Sequence, residues 1–336
     1  MEGLLENFWV LLVLKLAVVA LLVPVAGLII GYGELKISAH MQARVGPYFA
    51  GGRFGWAQLI ADGIKFFQKE DIIPENADRP VFRWAPTLVM LSSVSLFVVI
   101  PFGPGDPFVV RDLELGIFYA LAVSSIGTLG ILMAGWSSSN KYSLIGGLRA
   151  AGQLIAYELP MVLSVVGVVV LAGTMSLSGI VEAQIAFGMP YIVPQVVAFV
   201  IFMICALAEM NRIPFDMPIA ESELTTGFLT EYTGFRFLFF FLAEFANMFV
   251  FAAIATTLFL GGYAPAGSEV FGIAVPALAG PVFMVAKMAL LVFVMIWVRW
   301  TWPRLREDQL QTFAWKWLVP ISVANIVVTA AVKVVF

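Results

Sequence analysis

Apolar residues run through this chain in long blocks, and its polar positions gather between them. Eight blocks approach the roughly 20 residues that a bilayer-spanning helix needs. They lie near 8–30, 85–102, 115–135, 154–173, 192–210, 236–260, 277–299 and 318–335. The pattern predicts an all-α polytopic membrane protein with eight transmembrane helices, residues 1–336 forming one membrane domain. Between the first two blocks, residues 56–69 follow another rhythm. Trp56, Leu59, Ile60, Ile64, Phe66 and Phe67 fall largely on one side, and Gln58, Asp62, Lys65, Gln68 and Lys69 fall elsewhere. That spacing predicts an amphipathic helix. Two settings suit it equally: the membrane interface, or a face packed on other loops.

The charged residues orient the spans. Fifteen lysines and arginines fall in the connections after spans one, three, five and seven, and only Arg111 falls in the other three. By the positive-inside rule the four basic loops face the cytoplasm and both termini face outward. Composition agrees with the class, being 61% hydrophobic and 12% charged, with a mean hydropathy of +0.96. The start, MEGLLENF, is acidic where a cleavable signal would be basic. One cysteine, Cys205, and one histidine, His40, exclude an internal disulfide and leave no Cys/His set for a metal or iron–sulfur cluster. No phosphate-binding glycine loop follows a strand pattern. Flavin, nucleotide or iron–sulfur chemistry therefore belongs to other chains.

The candidate chemistry lies in carboxylates at membrane depth. Residues 209–231 hold Glu209, Asp216, Glu221, Glu223 and Glu231 with one internal base, Arg212, between two strongly apolar blocks. Pro214, Pro218 and Gly227 break the helix there while apolar residues continue, which an ordinary solvated loop does not need. Glu158 falls inside span four with Pro160 two residues on, a pairing that predicts a kinked or opened helix. Glu244 and Lys287 add ionisable groups to spans six and seven, whereas Lys15 can snorkel. Such groups mark either a structural ion pair or a charge relay, and their spread over three spans beside an acidic loop favours the relay.

Several stretches are specific. GELK at 33–36, QARVGP at 42–47, AQLIADGIKFFQKE at 57–70 and GWSSSNKYSLIGGLRAAGQLIAYE at 135–158 resemble the family of H subunits of respiratory complex I, the proton-pumping NADH–quinone oxidoreductase. So do AEMNRIPFD at 208–216, ESELTTGFLTEYTG at 221–234 and RWTWPRLREDQL at 299–310. The resemblance spans essentially the whole chain, and this family is the bacterial counterpart of mitochondrial subunit 1. It implies an oxidoreductase component that walls a quinone chamber beneath soluble-arm subunits carrying the terminal iron–sulfur cluster, with no complete active site of its own. Quinone is then the substrate, flavin and iron–sulfur centres lie in partners, and further partners are small membrane subunits and antiporter-like subunits. The setting implied is the bacterial inner membrane; no metal and no nucleic acid are expected.

Carried over residue by residue, the resemblance assigns Arg44, Asp62, Gly63, Lys65, Phe66, Arg212 and Asp216 to quinone binding. It assigns Glu158, Glu209, Asp216, Glu221, Glu223, Glu231 and Glu244 to proton coupling, a path on which Glu34 and the span charge Lys287 are also placed, and Arg304 to anchoring the acidic loop or the soluble arm. The chain departs from the family at Leu35, where an arginine is usual, at Ile219, where a glutamate is usual, and at Phe245, where a tyrosine is common. The loop GPYFAGGRFG is also one residue longer. These changes predict a less polar tunnel wall with coupling kept through Glu221 and Glu223. Two other readings remain: the membrane component of an energy-converting hydrogenase or of a ferredoxin- or deazaflavin-fed complex, and a stand-alone ion transporter.

Overall fold

A computed structural model describes residues 8–105, 108–265 and 279–335. Residues 1–7, 106–107, 266–278 and 336 lie outside the described set, and with them the acidic start and the first two residues of the seventh block. The regular elements among the described residues are all helices, with no strand among them. In chain order the helices are α1 (Phe8–Met41), α2 (Gln58–Gln68), α3 (Arg79–Leu96), α4 (Gly116–Ser137), α5 (Lys141–Ala172), α6 (Leu177–Phe187) and α7 (Val196–Glu209). A four-residue turn, α8 (Glu221–Leu224), precedes α9 (Gly234–Phe259) and α10 (Gly280–Thr301). The chain ends in α11 (Glu307–Phe313), a π-helical turn at Ala314–Leu318, and α12 (Val319–Val335).

Seven stretches among the described residues are long and apolar enough to cross a membrane. The fifth expected span is the exception. It forms only the 14-residue α7, about 21 Å at the 1.5 Å rise of a helix, against roughly 30 Å of hydrocarbon. The residues before it turn instead. Ile192 N donates to Phe259 O at 2.8 Å, Asn325 Nδ2 donates to Gln195 Oε1 at 2.7 Å, and Gln195 Nε2 donates to Thr329 Oγ1 at 2.6 Å. Neighbouring helices thus supply the partners that water cannot at this depth.

Two other boundaries move and one helix is added. The first helix runs on from Gly31 to Met41, because Glu34 and Lys36 find partners and need no loop. The fourth starts at Lys141, where Asn140 Oδ1 accepts from Tyr142 N at 2.8 Å as an N-cap, and it stays helical through Pro160. Helix α6 follows, unexpected from hydropathy but bounded by Ser176, whose Oγ accepts from Gly179 N, and by left-handed Gly188.

Helix α5 is the hub, packing against α4, α7 and α12. A smaller apolar core lies at the basic end of the bundle, built from Phe82, Ile131, Leu154, Phe228, Tyr232 and Phe240. The acidic stretch is clamped onto it. Tyr232 stacks on Phe82 at 4.1 Å and donates to Phe82 O at 3.1 Å, and burial pushes its hydroxyl well above the usual range. Gly227 has φ of +58°, and a Cβ there would fall 1.7 Å from Pro218 O. Gly146 of α5 is as confined, with a Cβ meeting Phe228 N at 2.7 Å. Only glycine at both positions lets the stretch fold back so closely on α5.

Candidate functional site

At the basic end a polar-lined cavity of about 600 Å³ lies between α1, α2, α9 and the end of α10. Helix α2 forms one wall. It packs on α9 through Phe66 against Phe237, 5.6 Å apart and stacked, and Phe67 against Phe235 at 4.8 Å. Trp56, Ile60 and Ile64 stay exposed, so the helix packs along one edge and keeps an uncovered apolar face. The loop before it is tied to α1, with Tyr32 donating to Phe54 O at 2.7 Å and Lys36 donating to Pro47 O. Arg44, Asp62, Lys65 and Phe66 all line the cavity. Gly63 does not.

Behind the α1 and α9 walls lies a four-membered ion cluster. Arg212 Nη1 donates to Glu34 Oε2 at 2.6 Å, Arg212 Nη2 lies 3.0 Å from Glu244 Oε1, and Arg299 pairs with Glu34 Oε1. Glu34, Glu244 and Arg299 reach the cavity wall. Arg212 does not: its side chain is 1% exposed, and the Phe245 ring lies over it at 5.0 Å. Expected near a ligand head group, Arg212 is instead the buried counter-ion of two carboxylates. Its Nε and Nη2 make no hydrogen bond of ordinary geometry among the described residues. Arg299 was legible only as a positive-inside charge; its place at the first residue of RWTWP, straight after an apolar span, is the signal for a pairing role.

A second cavity, about 60 Å³, abuts the first. Glu244 and Phe241 border both. Glu209, Asn211, Asn247 and Ile219 complete it, and Asn247 Oδ1 is buried without a hydrogen-bond partner among the described residues. A space of this size accommodates water, since roughly 10–15 Å³ suffices for one molecule. Glu209 is also close enough to Glu158 for their charges to interact, and Glu158 accepts from Ser125 Oγ of α4. Glu34 and Glu244 thus border the larger cavity, and Glu244 and Glu209 border the smaller.

The remaining candidates lie apart from it. Asp216 is held by Arg304 through two bonds of 2.6 Å, a planar fork. Glu223 accepts from Arg149 at 2.7 Å, and Arg149 also lies 3.4 Å from Glu307. Glu231 accepts from Asn140 Nδ2 at 2.5 Å, and Glu221 is exposed. Lys287 donates to Leu260 O, Gly262 O and Ala264 O just past the end of α9. No cluster of His, Cys, Asp and Glu fit for a metal occurs among the described residues.

The pattern of the NADH dehydrogenase family matches residues 14–330. The chain belongs to that family. A protein of Geobacillus kaustophilus (strain HTA426), named as the H subunit of NADH-quinone oxidoreductase, is 48% identical over 320 residues, which cover 94% of this chain and 93% of the relative. Another of that name, from Bacillus thuringiensis subsp. konkukian (strain 97-27), is 48% identical over 303 residues, covering 90% and 88%. The resemblance read from the motifs is thereby confirmed across nearly the full length. Within the family, the three departures fall on the two cavities: Leu35 and Phe245 line the larger, and Ile219 lines the smaller.

Proposed function

We propose that this chain is the membrane component through which a proton-pumping NADH-quinone oxidoreductase couples quinone reduction to proton translocation. The observation that carries the reading is Glu244, which borders both the 600 Å³ cavity and the 60 Å³ cavity that holds Glu209. In this reading quinone passes through the larger cavity, along Phe66, Phe237, Phe241 and Trp300, with Arg44, Asp62 and Lys65 at its polar wall. Reducing quinone with two electrons from the soluble arm draws two protons from acidic groups of the cavity and leaves negative charge on those groups. That charge perturbs the Glu34–Arg299 and Glu244–Arg212 pairs, and the disturbance passes through Glu244 to Glu209 and Glu158 as coupled titrations.

Asp216 with Arg304, and Glu223 with Arg149 and Glu307, then act first as braces that hold the acidic stretch and present it to the soluble arm. Glu221 and Glu231 complete that surface. The basic loops face the cytoplasm of a bacterial cell, soluble-arm subunits with iron–sulfur and flavin centres dock on them, and small membrane and antiporter-like subunits flank the bundle.

The test is photo-crosslinking of a quinone analogue to the intact assembly, with labelled peptides mapped and ordinary quinone as competitor. Competed label within residues 31–69 or 237–245 supports the reading. Absence of competed label on this chain, in an assembly that still transfers electrons, overturns it in favour of a quinone-free redox complex.

A further inference from the structure

Polar side-chain atoms cut off from water are nearly always hydrogen-bonded, and each exception needs a cause. Among the described residues four such atoms have no hydrogen-bond partner: Gln153 Oε1, Arg212 Nε, Arg212 Nη2 and Asn247 Oδ1. They gather round one hollow. Asn247 lines the 60 Å³ cavity. Arg212 Nη2 lies 3.0 Å from Glu244 Oε1, and Gln153 Nε2 donates to Asn211 Oδ1 at 3.2 Å; Glu244 and Asn211 line that cavity too. Glu209 reaches it from the end of α7, and Ile131, Ile219, Phe228 and Phe240 make much of the remaining wall apolar. Asn247 stands three residues after Glu244 on α9, which puts the two side chains on one face of the helix.

We infer that Asn247 is a positioning residue for proton transfer, holding a water molecule between the carboxyl groups of Glu244 and Glu209. The inference rests on the coupling role proposed above for that pair. Size and chemistry both point to water. The cavity offers about 60 Å³ where roughly 10–15 Å³ suffices for one molecule, provided that two to four polar partners surround it. Glu209, Glu244, Asn211 and Asn247 supply them. Asn247 Oδ1 accepts one O–H of the water, which leaves the second O–H for an ionised carboxylate and the oxygen lone pair for a protonated carboxyl group. A proton then crosses by a balanced exchange. The O–H bond of protonated Glu244 breaks as the water oxygen takes its proton, and the water O–H bond directed at Glu209 breaks as that carboxylate takes the other. Water is regenerated, one proton has moved, and no electron has. An amide suits the task because it does not ionise, so its hold on the water is the same in either protonation state of the pair.

The test compares Asn247→Leu, Asn247→Ser and Glu244→Gln with wild type in proteoliposomes of the intact assembly. Leucine is close to asparagine in size but has no acceptor, whereas serine keeps one and leaves room for a second water. Asn247→Leu is expected to lower protons moved per electron about tenfold, within the range that lost orientation costs a positioned reaction. Its melting temperature holds or rises, because the change removes an unpartnered buried acceptor. Asn247→Ser is expected to keep the ratio within about twofold of wild type, since a bridging water replaces a direct bond at little loss. An unchanged ratio in Asn247→Leu, an equal fall in both variants, or a fall matched by a lower melting temperature overturns the inference. Glu244→Gln separates two failures: a ratio lowered there but not by Asn247→Leu strikes only the role of Asn247, and a ratio that neither lowers strikes the coupling reading with it. A high-resolution map of the wild-type assembly gives the arm that needs no variant. Water density at about 2.7–2.8 Å from Asn247 Oδ1, within reach of both carboxyl groups, supports the site; a dry cavity, or a partner subunit's side chain bonded to that oxygen, overturns it.

Discussion

Glu34 Oε2 accepts a hydrogen bond from Arg212 Nη1 at 2.6 Å, with the two side chains only 8% and 1% exposed. Charges so far from water are tolerable only as a pair, and removing one partner typically costs about 3–5 kcal/mol because the other is left uncompensated. Arg212→Leu is therefore expected to deplete the assembled complex strongly. In the double variant Arg212→Leu/Glu34→Leu, the partners left over, Glu244 and Arg299, still share one cavity wall and can meet. The double variant is expected to recover assembly relative to Arg212→Leu. Native-gel abundance and thermal melts read this directly; equal depletion of the two would show that Arg212 holds the fold by shape and not by charge.

Glu244 offers the cleanest separation of chemistry from coupling. It is half-buried and borders both cavities, whereas its neighbour Glu34 has a second counter-ion in Arg299. Glu244→Gln keeps the volume and the hydrogen-bonding capacity but cannot ionise. Quinone reduction is expected to persist at a reduced rate while protons moved per electron fall steeply, measured in proteoliposomes with a pH-sensitive dye. An unchanged ratio removes Glu244 from the path.

Much of this was legible because membrane insertion imposes a coarse code. Long apolar blocks announced the spans, and proline and glycine inside an apolar, acidic stretch announced that residues 209–231 fold back into the protein. What escaped depended on tertiary partners. Nothing local says that GYGELKISAHM continues a helix, since that requires Arg212 and Arg299 to neutralise Glu34 from distant segments. Nor does local sequence divide Glu209 and Glu244, which share a cavity, from Asp216 and Glu223, which are ion-paired by Arg304 and Arg149. Glu209, Asp216 and Glu223 read alike as acids of one loop, and Glu244 reads only as a charge inside the next span. Helix α6 carried its signals in Ser176 and Gly188, which hydropathy does not count.

Ile219 tests how the small cavity tolerates charge. It lines the same 60 Å³ as Glu209 and Glu244. A third carboxyl placed there meets low polarity and two like charges, both of which favour its neutral form. Ile219→Glu is expected to assemble with lowered thermal stability and an unchanged proton-to-electron ratio, because a group that stays protonated relays nothing new. A large rise in that ratio would mean that the wild-type series is incomplete without an acid at this position.

Arg304 and Asp216 make a two-bond fork between the segment after α10 and the acidic stretch. Lysine has the charge but not the planar geometry. Arg304→Lys is expected to lose one of the two bonds, about 1.5–3 kcal/mol for a bond between charged groups, discounted for the 29% exposure of Arg304. The stretch 211–233 then opens more readily, seen as faster proteolysis there with the span helices still protected. Uniform protection would show that the other ties, Tyr232 on Phe82, Glu223 on Arg149 and Glu231 on Asn140, hold the stretch without the fork.

Lys287 reads as part of a charge relay from its place inside an apolar span, and its surroundings suit it to another task. Its ammonium meets three carbonyl oxygens just beyond the end of α9, where helix carbonyls lack intrahelical partners and the dipole favours a cation. Its three hydrogen bonds all go to backbone carbonyls, and among the described residues no carboxylate forms an ion pair with it. A capping role and a relay role predict different phenotypes for Lys287→Met. Loss of a cap frees three carbonyls and lowers the melting temperature of the complex, with protons per electron unchanged in the surviving fraction. Loss of a relay leaves the melting temperature close to wild type and abolishes translocation. The bonds to Leu260, Gly262 and Ala264 place the expectation on the first outcome, and proteoliposome pumping measured beside a melt distinguishes the two in one preparation.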